Sequence, residues 1–385
     1  MKKKILVIGF DWRGFARRDP GALLRKLARD RIDSDRADVL LWEFAPTAGE
    51  LRLADGKVRV INREGRFPSL RPFYDSLAPF LLVRDLKRAG FVPDVVIIYD
   101  FPLLPAAESV KRAFGTKVVL YLTNLPTDLA KTRKLAWFKG TYHRFFERRT
   151  GRIVDAIVAI NETTRAYACS LGVPDERVFV SAPDTISADM PFIRVMKKGV
   201  VHARFSIPDT VLVLFSVGRL EPEKGFDSLI RAFAGLKRAD IALVIAGEGR
   251  LRSELETLAQ EKGVASRVHF AGSISREEIW NYYADADVFI LLSRSEALGL
   301  VVWEAMYAGV PVIVSGAGGL AESVGADGER GFLWTPGNDL GDLSQKLDRC
   351  LDSADAQPML ERARAYVESR LRAADLLSVL SLPAS

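Results

Sequence analysis

Two cations stand close together in the second half of the chain. Arg219 and Lys224 lie five residues apart in VGRLEPEKG (217–225), where a predicted strand ends and a helix follows. A helix N-terminus presents free backbone N–H groups and a positive dipole, so two cations beside it would suit a diphosphate. The alternative is that both are solvated loop charges, which are common on protein surfaces.

Two carboxylates form a second set. Glu296 and Glu304 are eight residues apart in SEALGLVVWEAMYAGVPVI (295–313), with a strand end before the first and a helix between them. Gly299 allows close approach of the backbone where that helix begins, so the amides of 298–300 are candidates for contact with a ligand anion. Carboxylates at a strand end accept hydrogen bonds from sugar hydroxyls.

Glycine-rich turns follow two further predicted strands. They are GAGGLAES (316–323) and AGEGR (246–250). A single segment of this kind indicates little, because glycine often serves a turn and nothing more. Four unusual segments at neighbouring strand ends of one domain favour a ligand site there.

These residues are positioned by apolar stretches that alternate with helical patterns. Strands that are apolar throughout and separated by amphipathic helices predict a parallel sheet covered on both faces, with ligands at the carboxyl ends of the strands. The predicted strands are VLVLFSVG (211–218), IALVIAG (241–247), RVHFAG (267–272), DVFILLS (287–293) and VPVIVSG (310–316), and the predicted helices are Phe226–Leu236, Leu251–Glu261, Glu277–Ala284 and Val301–Ala308.

The first half repeats the alternation less regularly. It predicts a second Rossmann-like domain, which gives an α/β protein of two doubly wound domains facing a cleft. The predicted strands are KILVIG (4–9), VLLWEF (39–44), KVRVI (57–61), DVVIIYD (94–100), KVVLYL (117–122), DAIVAI (155–160) and VFVSA (178–182), with helical patterns at Leu23–Arg29 and Leu81–Lys87.

The length of the chain also predicts two domains. A chain of 385 residues exceeds the about 250–300 residues at which a single core stops growing. We expect a first domain over 1–186 and a second over 187–367. The last predicted helix (Leu360–Leu382) is long, and its end, about 368–385, is expected to pack back on the first domain.

Composition excludes several classes of protein. Cys169 and Cys350 lie far apart, and the three histidines are scattered, so no disulfide framework, metal site or Ser-His-Asp triad is indicated. Apolar residues make up 48% and mean hydropathy is +0.06, which is typical of a globular chain. The start MKKKILVIGF resembles a signal peptide only briefly before Asp11 and Arg13, so secretion and membrane spanning are not expected.

The positive charge is concentrated in the first half. Residues 1–190 hold 33 Lys and Arg against 23 Asp and Glu, a net of +10, whereas 191–385 carry a net of −4. The segment 129–149 interleaves Lys and Arg with Trp137, Phe138 and other bulky aromatics, as membrane-surface helices do. The alternatives are a solvated helix with its aromatics turned inward, and nucleic acid, for which no recognised module is present. We expect an anionic membrane surface as partner and no nucleic acid.

The segments of the second half together resemble the retaining GT-B glycosyltransferases of family 4 (glycosyl transferases group 1). The resemblance is continuous over 211–335, through VGRLEPEKGFDSLIRAF, LVIAGEGRLRSELETLA and SRSEALGLVVWEAMYAGVPVI, and echoes weakly in DAIVAINETTR (155–165). Such enzymes move a sugar from a nucleotide diphosphate to an acceptor hydroxyl and keep the anomeric configuration. The resemblance implies the GT-B fold, with the donor bound by the second domain.

The resemblance also implies roles for particular residues. The cations Arg219 and Lys224 match those on the donor diphosphate and, with Glu296, would carry catalysis. Glu296 matches the first carboxylate of a Glu-x7-Glu motif, at the donor sugar, and Glu304 matches the second, at the ribose. The remaining donor-binding positions are Leu298, Gly299 and Leu300, whose amides meet phosphate and sugar, and Gly272 to Ile274, near the base.

The first domain departs from the family pattern. Thr123 and Asn124 stand where many members have a His, Asp184 replaces an Asn after Pro183, and in the second domain Ala297 replaces a Gly. The candidate acceptor-side residues are Gly14, in place of a glycine-rich turn after the first strand, Asp100, Thr123 and Asn124.

The family's chemistry completes the expectation. Front-face attack by the acceptor, with the leaving phosphate as base, needs no protein nucleophile, metal or cofactor. The acceptor is expected to be a lipid-linked or growing glycan in the synthesis of cell-surface polysaccharide or glycolipid, at the cytoplasmic face of a membrane. The alternatives are a catalytically degenerate GT-B scaffold or regulatory subunit and a GT-B sugar-nucleotide epimerase.

Overall fold

The chain folds into two compact units. The computed structural model describes residues 2–8, 37–45, 49–52, 58–64, 71–99, 101–122, 147–181, 186 and 193–371. One unit lies within Met1–Asp184 and the other within Thr185–Arg372. Each contains its own cluster of buried apolar side chains. None of the helices in the described ranges is both long and apolar enough to cross a bilayer.

The first unit is built on a sheet of eight described strands. They are β1 (Lys3–Ile8), β2 (Ala37–Ala45), β3 (Gly49–Arg52), β4 (Val58–Glu64), β5 (Val95–Ile98), β6 (Lys117–Leu122), β7 (Ala156–Ala159) and β8 (Val178–Val180). Their order is β3-β4-β2-β1-β5-β6-β7-β8, and only the edge pair β3·β4 is antiparallel. Strands β1, β5 and β6 are almost wholly buried, because helices cover both faces of a parallel sheet.

Helices pack on this sheet through their apolar sides. They are α1 (Arg71–Arg88), α2 (Leu104–Phe114), α3 (Thr150–Ile153) and α4 (Glu162–Ser170). Helix α1 buries Ala78, Leu82 and Leu86 at intervals of four residues, as expected for one face of a helix. Its Asp85 is also buried and accepts a hydrogen bond of 2.9 Å from Trp42 Nε1 of β2, which satisfies both polar groups.

The second unit contains a sheet that is parallel throughout. Its described strands are β9 (Leu212–Val217), β10 (Ile241–Ala246), β11 (Val268–Gly272), β12 (Val288–Leu291), β13 (Val312–Val314) and β14 (Phe332–Leu333). The order β11-β10-β9-β12-β13-β14 places the first strand in the middle of the sheet. The chain winds outward from β9 on one side and from β12 on the other. This is the doubly wound Rossmann order, whose ligand crevice lies where the winding reverses.

Helices connect these strands, with α5 preceding β9 and two helices following β14. They are α5 (Val200–Phe205), α6 (Phe226–Gly235), α7 (Arg252–Glu261), α8 (Ile279–Asp285), α9 (Leu300–Ala308), α10 (Gly319–Val324), α11 (Leu340–Leu351) and α12 (Ser353–Leu371). The predicted α/β class and the strands and helices predicted between residues 211 and 316 are confirmed, because their apolar runs are long and their turns are marked by glycine.

Several features differ from the expectation, among them two strands and the start of the final helix. The short, polar edge strand β3 and the terminal strand β14 were not predicted, since neither has a clear periodic pattern. The final helix begins at Ser353 rather than Leu360, because Asp352 Oδ1 accepts from Ala354 N and caps its first turn. Up to Leu371 this helix packs in the second unit, where Arg370 contacts Glu322 at 3.4 Å. Residues 372–385, where the chain end is predicted to return to the first domain, lie outside the described ranges. The predicted helix Leu23–Arg29 lies outside them as well.

Neighbouring strand ends of the second unit touch through backbone rather than side chains. Gly247, after β10, donates from its N–H to the carbonyl of Gly272 at 2.7 Å. A Cβ at position 247 would lie 1.9 Å from the carbonyl oxygen of Gly218, and the φ of Gly247 is +126°. Only glycine combines that conformation with that proximity. The three loops that leave β9, β10 and β11 are therefore held together at this point.

Gly247→Ala is expected to destabilise the second unit by about 3 kcal/mol or more, since backbone strain and overpacking add. Gly263→Ala is the matched control, because Gly263 has φ of +69° but nothing within 4 Å of its Cβ position. We expect the control to cost about 1 kcal/mol. Urea unfolding followed by tryptophan fluorescence measures both, and equal losses would show that the close approach contributes nothing.

Candidate functional site

The loops that follow β9 and β12 meet at the point where the sheet reverses its winding. The backbone N–H of Arg294, after β12, donates to the carbonyl of Glu223 at 2.8 Å, and its Nη1 donates to the carbonyl of Pro222 at 2.6 Å. Its other guanidinium nitrogen contacts Asp227 of α6 at 2.6 Å. Arg294 therefore fastens the two loops together. Sequence analysis did not select it, because a lone arginine after a strand carries no distinctive spacing.

The contact between Arg294 and Asp227 also changes the acidity of the carboxyl group. Burial alone would raise the pKa of Asp227, but the hydrogen bond and charge of Arg294 outweigh it and leave that pKa below its usual value. Asp227 therefore stays ionised at neutral pH, and the fastening persists there.

Lys224, one of the two predicted cations, and Glu296, the first predicted carboxylate, come together across the two loops. Lys224 Nζ lies 2.5 Å from Glu296 Oε2, and the two side chains are only 18% and 15% exposed. Residues that are 72 positions apart in the chain thus form one partly buried ion pair. In this position Lys224 is close enough to serve a ligand that also contacts Glu296.

The second predicted cation lies nearer the solvent. Arg219 is largely exposed and its guanidinium contacts Glu223 Oε1 at 3.0 Å, one helical turn further along the loop. Glu221 of the same loop contacts Arg250, after β10, at 2.9 Å. Each cation of the loop therefore has a carboxylate neighbour, and an arriving diphosphate would exchange with these contacts.

The second predicted carboxylate is buried. Glu304 of α9 is 1% exposed and accepts hydrogen bonds from Arg276 Nη1 at 2.8 Å and from the Tyr283 hydroxyl at 2.9 Å. Arg276 lies in the loop that continues from Gly272–Ile274, so the stretch predicted near the base and the carboxylate predicted at the ribose do adjoin. Arg276 and Tyr283 were missed by sequence analysis, because no motif spacing connects them to Glu304.

The start of helix α9 is shaped by glycine. Gly299 precedes the helix with φ of +75°, and buried Leu298 anchors the segment. The turn 316–319 packs against it, since Gly319 N donates to the carbonyl of Glu296 at 3.1 Å and a Cβ on Gly318 would lie 2.0 Å from that same oxygen. The first amides of a helix have no acceptor within it, so those of α9 can meet an anion beside Glu296.

A groove of about 700 Å³ adjoins this site but does not contain it. It runs between α6 and α7, is floored by Leu251, Leu255 and Leu258, and reaches Pro222 and Arg294. None of the four predicted cations and carboxylates lines it. The predicted cations and carboxylates therefore lie on the strand-end loops and on helix α9, outside this groove.

The candidate acceptor-side residues lie outside the described residues. This applies to Gly14, Asp100, Thr123 and Asn124, as well as to Asp184 and to most of the basic segment, 129–146. These predictions stay predictions.

Comparison with known proteins shows the family. The sequence profile described as "Glycosyl transferases group 1" matches residues 199–370, and that described as "Glycosyl transferase 4-like domain" matches 18–183. The chain is 30% identical over 283 residues to a GDP-mannose-dependent monoacylated alpha-(1-6)-phosphatidylinositol monomannoside mannosyltransferase of Corynebacterium glutamicum, covering 70% of each chain. This chain belongs to the group 1, family 4 glycosyltransferases.

Other curated relatives match over a shorter region. The chain is 38% identical over 215 residues to the D-inositol 3-phosphate glycosyltransferase of Mycolicibacterium smegmatis, with 55% of this chain and 48% of that protein covered. The chain spans about half the length of the first curated relatives that it matches.

Solved structures show the GT-B fold. The sucrose-phosphate synthase of Thermosynechococcus elongatus matches with a TM-score of 0.77 and 19% identity, over 98% of this chain and 96% of that one. Anabaena HepE, solved in complex with UDP, matches with a TM-score of 0.70 and 20% identity, over 98% and 97% of the two chains. The fold predicted from the sequence is confirmed.

Tyr283→Phe is expected to destabilise this family member by about 1.5–3 kcal/mol, because the buried carboxylate of Glu304 loses a donor. Tyr282→Phe, in the same helix, is the matched control. The Tyr282 hydroxyl accepts a hydrogen bond from Arg204, which also donates to the carbonyl of Ala271 at 2.9 Å. Because Arg204 retains that acceptor in the variant, we expect a smaller loss of stability. Urea unfolding of the two variants tests the difference, and a loss at Tyr283 no larger than the control would contradict it.

Proposed function

We infer that this chain is a glycosyltransferase that moves a sugar from a nucleotide-diphosphate donor to an acceptor hydroxyl. The observation that carries the proposal is the Lys224–Glu296 pair at the reversal point of the second sheet. There a cation and a carboxylate from separate loops stand beside the N-terminus of α9. This combination offers charge to a diphosphate and hydrogen-bond acceptors to a sugar at one place.

The donor is held by groups of opposite character in this proposal. Arg219, Lys224 and the first amides of α9 bind the diphosphate, while Glu296 accepts from hydroxyls of the donor sugar. Glu304 accepts from the ribose, with Arg276 and Tyr283 fixing the orientation of its carboxylate. Gly272–Ile274 lie against the base. Support for a nucleotide donor comes also from solved relatives, since HepE was solved with UDP-glucose and an E. coli trehalose-6-phosphate enzyme with UDP-2-fluoro glucose.

Catalysis in this proposal depends on stabilising the leaving group. Departure of the nucleoside diphosphate builds negative charge on phosphate oxygens and oxocarbenium character on the sugar. Fixed cations and amides stabilise that negative charge in the transition state without reorganising. We propose that the acceptor hydroxyl attacks from the face the phosphate leaves, so that configuration is retained, with neither a metal ion nor a cofactor required.

The proposed acceptor is a lipid-linked or growing glycan in cell-surface polysaccharide or glycolipid synthesis. Two observations support this choice. The mannosyltransferase relative acts, by its name, on a phosphatidylinositol monomannoside. The first half of the chain carries a net charge of +10, which favours an anionic surface. We propose that the protein associates peripherally with the cytoplasmic face of a membrane.

A donor screen tests the proposed function. Thermal unfolding with UDP-, GDP- and ADP-sugars should show stabilisation by one nucleotide class, about 2.7 kcal/mol at 100 times its Kd. Turnover of that donor should then depend on an acceptor. Binding without any turnover would indicate a scaffold, and conversion of the donor sugar without acceptor would indicate an epimerase. Stabilisation by none of them would contradict the proposal.

Arg219→Ala and Lys224→Ala are each expected to weaken nucleoside diphosphate binding. Each should also remove about 2–4 kcal/mol of transition-state stabilisation, which lowers turnover roughly thirty- to a thousandfold. Arg250→Ala is the matched control, since Arg250 is an exposed cation on the next strand-end loop that contacts Glu221. Calorimetric titration with the diphosphate and steady-state rates measure both effects. If the control loses as much as the other two, general positive charge and not the placed cations binds the donor.

Glu304→Gln and Glu296→Gln remove the same charge from two different places. The first is expected to weaken nucleotide affinity, because Glu304 faces the ribose. The second is expected mainly to lower turnover, because Glu296 faces the sugar. Nucleotide Kd and kcat measured for both variants test this division, and changes confined to nucleotide affinity and equal in size would refute it.

A further inference from the structure

Helix α1 of the first unit exposes apolar side chains that the core does not use. Phe80 is 77% exposed and Leu77 is 36% exposed, whereas Ala78, Leu82 and Leu86 on the opposite side are fully buried. Exposed phenylalanine and leucine side chains have a higher free energy in water than in an apolar environment. Exposed apolar side chains mark an interaction surface where further apolar area adjoins them.

The same face of α1 carries cations in its second half. Arg84, Lys87 and Arg88 are exposed, and they follow Leu77 and Phe80 at intervals of three and four residues, so all five share one side of the helix. Within 77–88 the helix has one carboxylate, that of Asp85, which is buried. It accepts a hydrogen bond from Trp42 and lies 3.9 Å from the Nε of Arg84. The outer face therefore combines apolar bulk with positive charge.

Lys and Arg in a last helical turn also interact favourably with the helix dipole. That role accounts for Lys87 and Arg88 but leaves the exposure of Phe80 without a cause.

The apolar surface continues from α1 onto α2. A groove of about 430 Å³ between the two helices is lined by Pro79, Val83, Pro105 and Ala113. Glu108 at its edge is compensated by two arginines, with Arg112 at 2.6 Å and Arg149 at 3.4 Å. The surroundings of Phe80 thus add apolar area without adding net negative charge.

The direction of α1 places its exposed apolar residues closer than its cations to the expected ligand edge of the first sheet. Helix α1 leaves β4 and leads to β5, and both strands are parallel to β1. A helix between parallel strands runs opposite to them, so its first half lies toward their carboxyl ends. Leu77 lies in that half and Phe80 at the middle of the helix, whereas the three cations lie toward the other edge.

We propose that the outer face of α1 is a docking surface for an anionic phospholipid bilayer. Phe80 and Leu77 insert into the interface between headgroups and acyl chains, and Arg84, Lys87 and Arg88 contact the lipid phosphates. Charge complementarity selects this partner, because Arg84, Lys87 and Arg88 face outward and no carboxylate does so within 77–88, which matches a uniformly negative surface. The inference rests on the proposed membrane association and assigns it to residues outside the basic segment 129–149.

Vesicle co-sedimentation of the full chain tests the proposal. The vesicles are phosphatidylcholine alone and phosphatidylcholine mixed with phosphatidylserine, each at low and high salt. The first variant is Phe80→Gln, with Val92→Gln as its control, since Val92 is another exposed apolar residue of the same unit, at 52%.

A second pair of variants tests the cations. Arg84, Lys87 and Arg88 are changed together to Gln, and the control changes the exposed cations Arg231, Lys237 and Lys262 of the second unit, so that the net charge is the same. A third protein with Lys131, Arg133, Lys134 and Lys139 changed to Ser reports separately on the basic segment. Thermal unfolding confirms that each variant is folded.

Binding to phosphatidylserine vesicles is expected to fall about tenfold in Phe80→Gln and about fivefold for each of the three cations removed. The cation component should weaken at high salt, where screening shortens its range, whereas the Phe80 component should persist. Both controls should bind as the wild type does.

Two results would overturn the proposal. One is a wild type that ignores phosphatidylserine vesicles at low salt. The other is wild-type binding that survives both α1 variants, whether or not the basic-segment variant releases the protein. The donor screen keeps this outcome distinct from the proposed transfer reaction, because the residues proposed to bind the nucleotide sugar lie in the second unit and α1 lies in the first.

Discussion

The reversal of winding between β9 and β12 is the constraint on which the candidate site depends. Because the chain proceeds outward from these two central strands in opposite directions, their loops diverge and leave a crevice at the carboxyl edge. Arg294 then ties the loops together through Pro222, Glu223 and Asp227. Every residue proposed above to bind the nucleotide-sugar donor lies on a loop or helix that leaves this edge. A sheet with its strands in sequential order would offer the same residues along a row, with no crevice between them.

Ion pairing prepares this site for an anion. An unpaired charge is costly where it is partly buried, and the partly buried Lys224 contacts Glu296. The exposed Arg219 contacts Glu223. A diphosphate would replace one anionic partner by another, which avoids exposing a bare cation during exchange. The buried Glu304 is treated in the same way, since Arg276 and Tyr283 supply the donors that its burial requires. The polar groups of the site thus find partners within the protein itself.

The two units differ in how they would serve the proposed reaction. The second holds the charged loops, whose backbones approach one another closely at Gly247 and Gly318. The first offers an outer helix face with exposed apolar and cationic side chains, which suits a surface partner better than a small molecule. Division of labour of this kind agrees with the charge asymmetry of the two halves, +10 and −4. The proposed donor site and the proposed membrane-contacting surface do not compete for the same residues, because they belong to units with separate cores.

The sequence by itself determined the α/β class, the strands from 211 to 316 and the cations and carboxylates of the candidate site. These depend on local periodicity and on spacing within single loops, which the order of residues displays directly. Only the tertiary structure decided which of those residues meet. Lys224 and Glu296 are 72 positions apart, and the partners of Glu304 come from 28 and 21 positions earlier. The edge strand β3 and the exposed face of α1 were likewise invisible, because pairing and exposure depend on what packs against a segment and not on its own pattern.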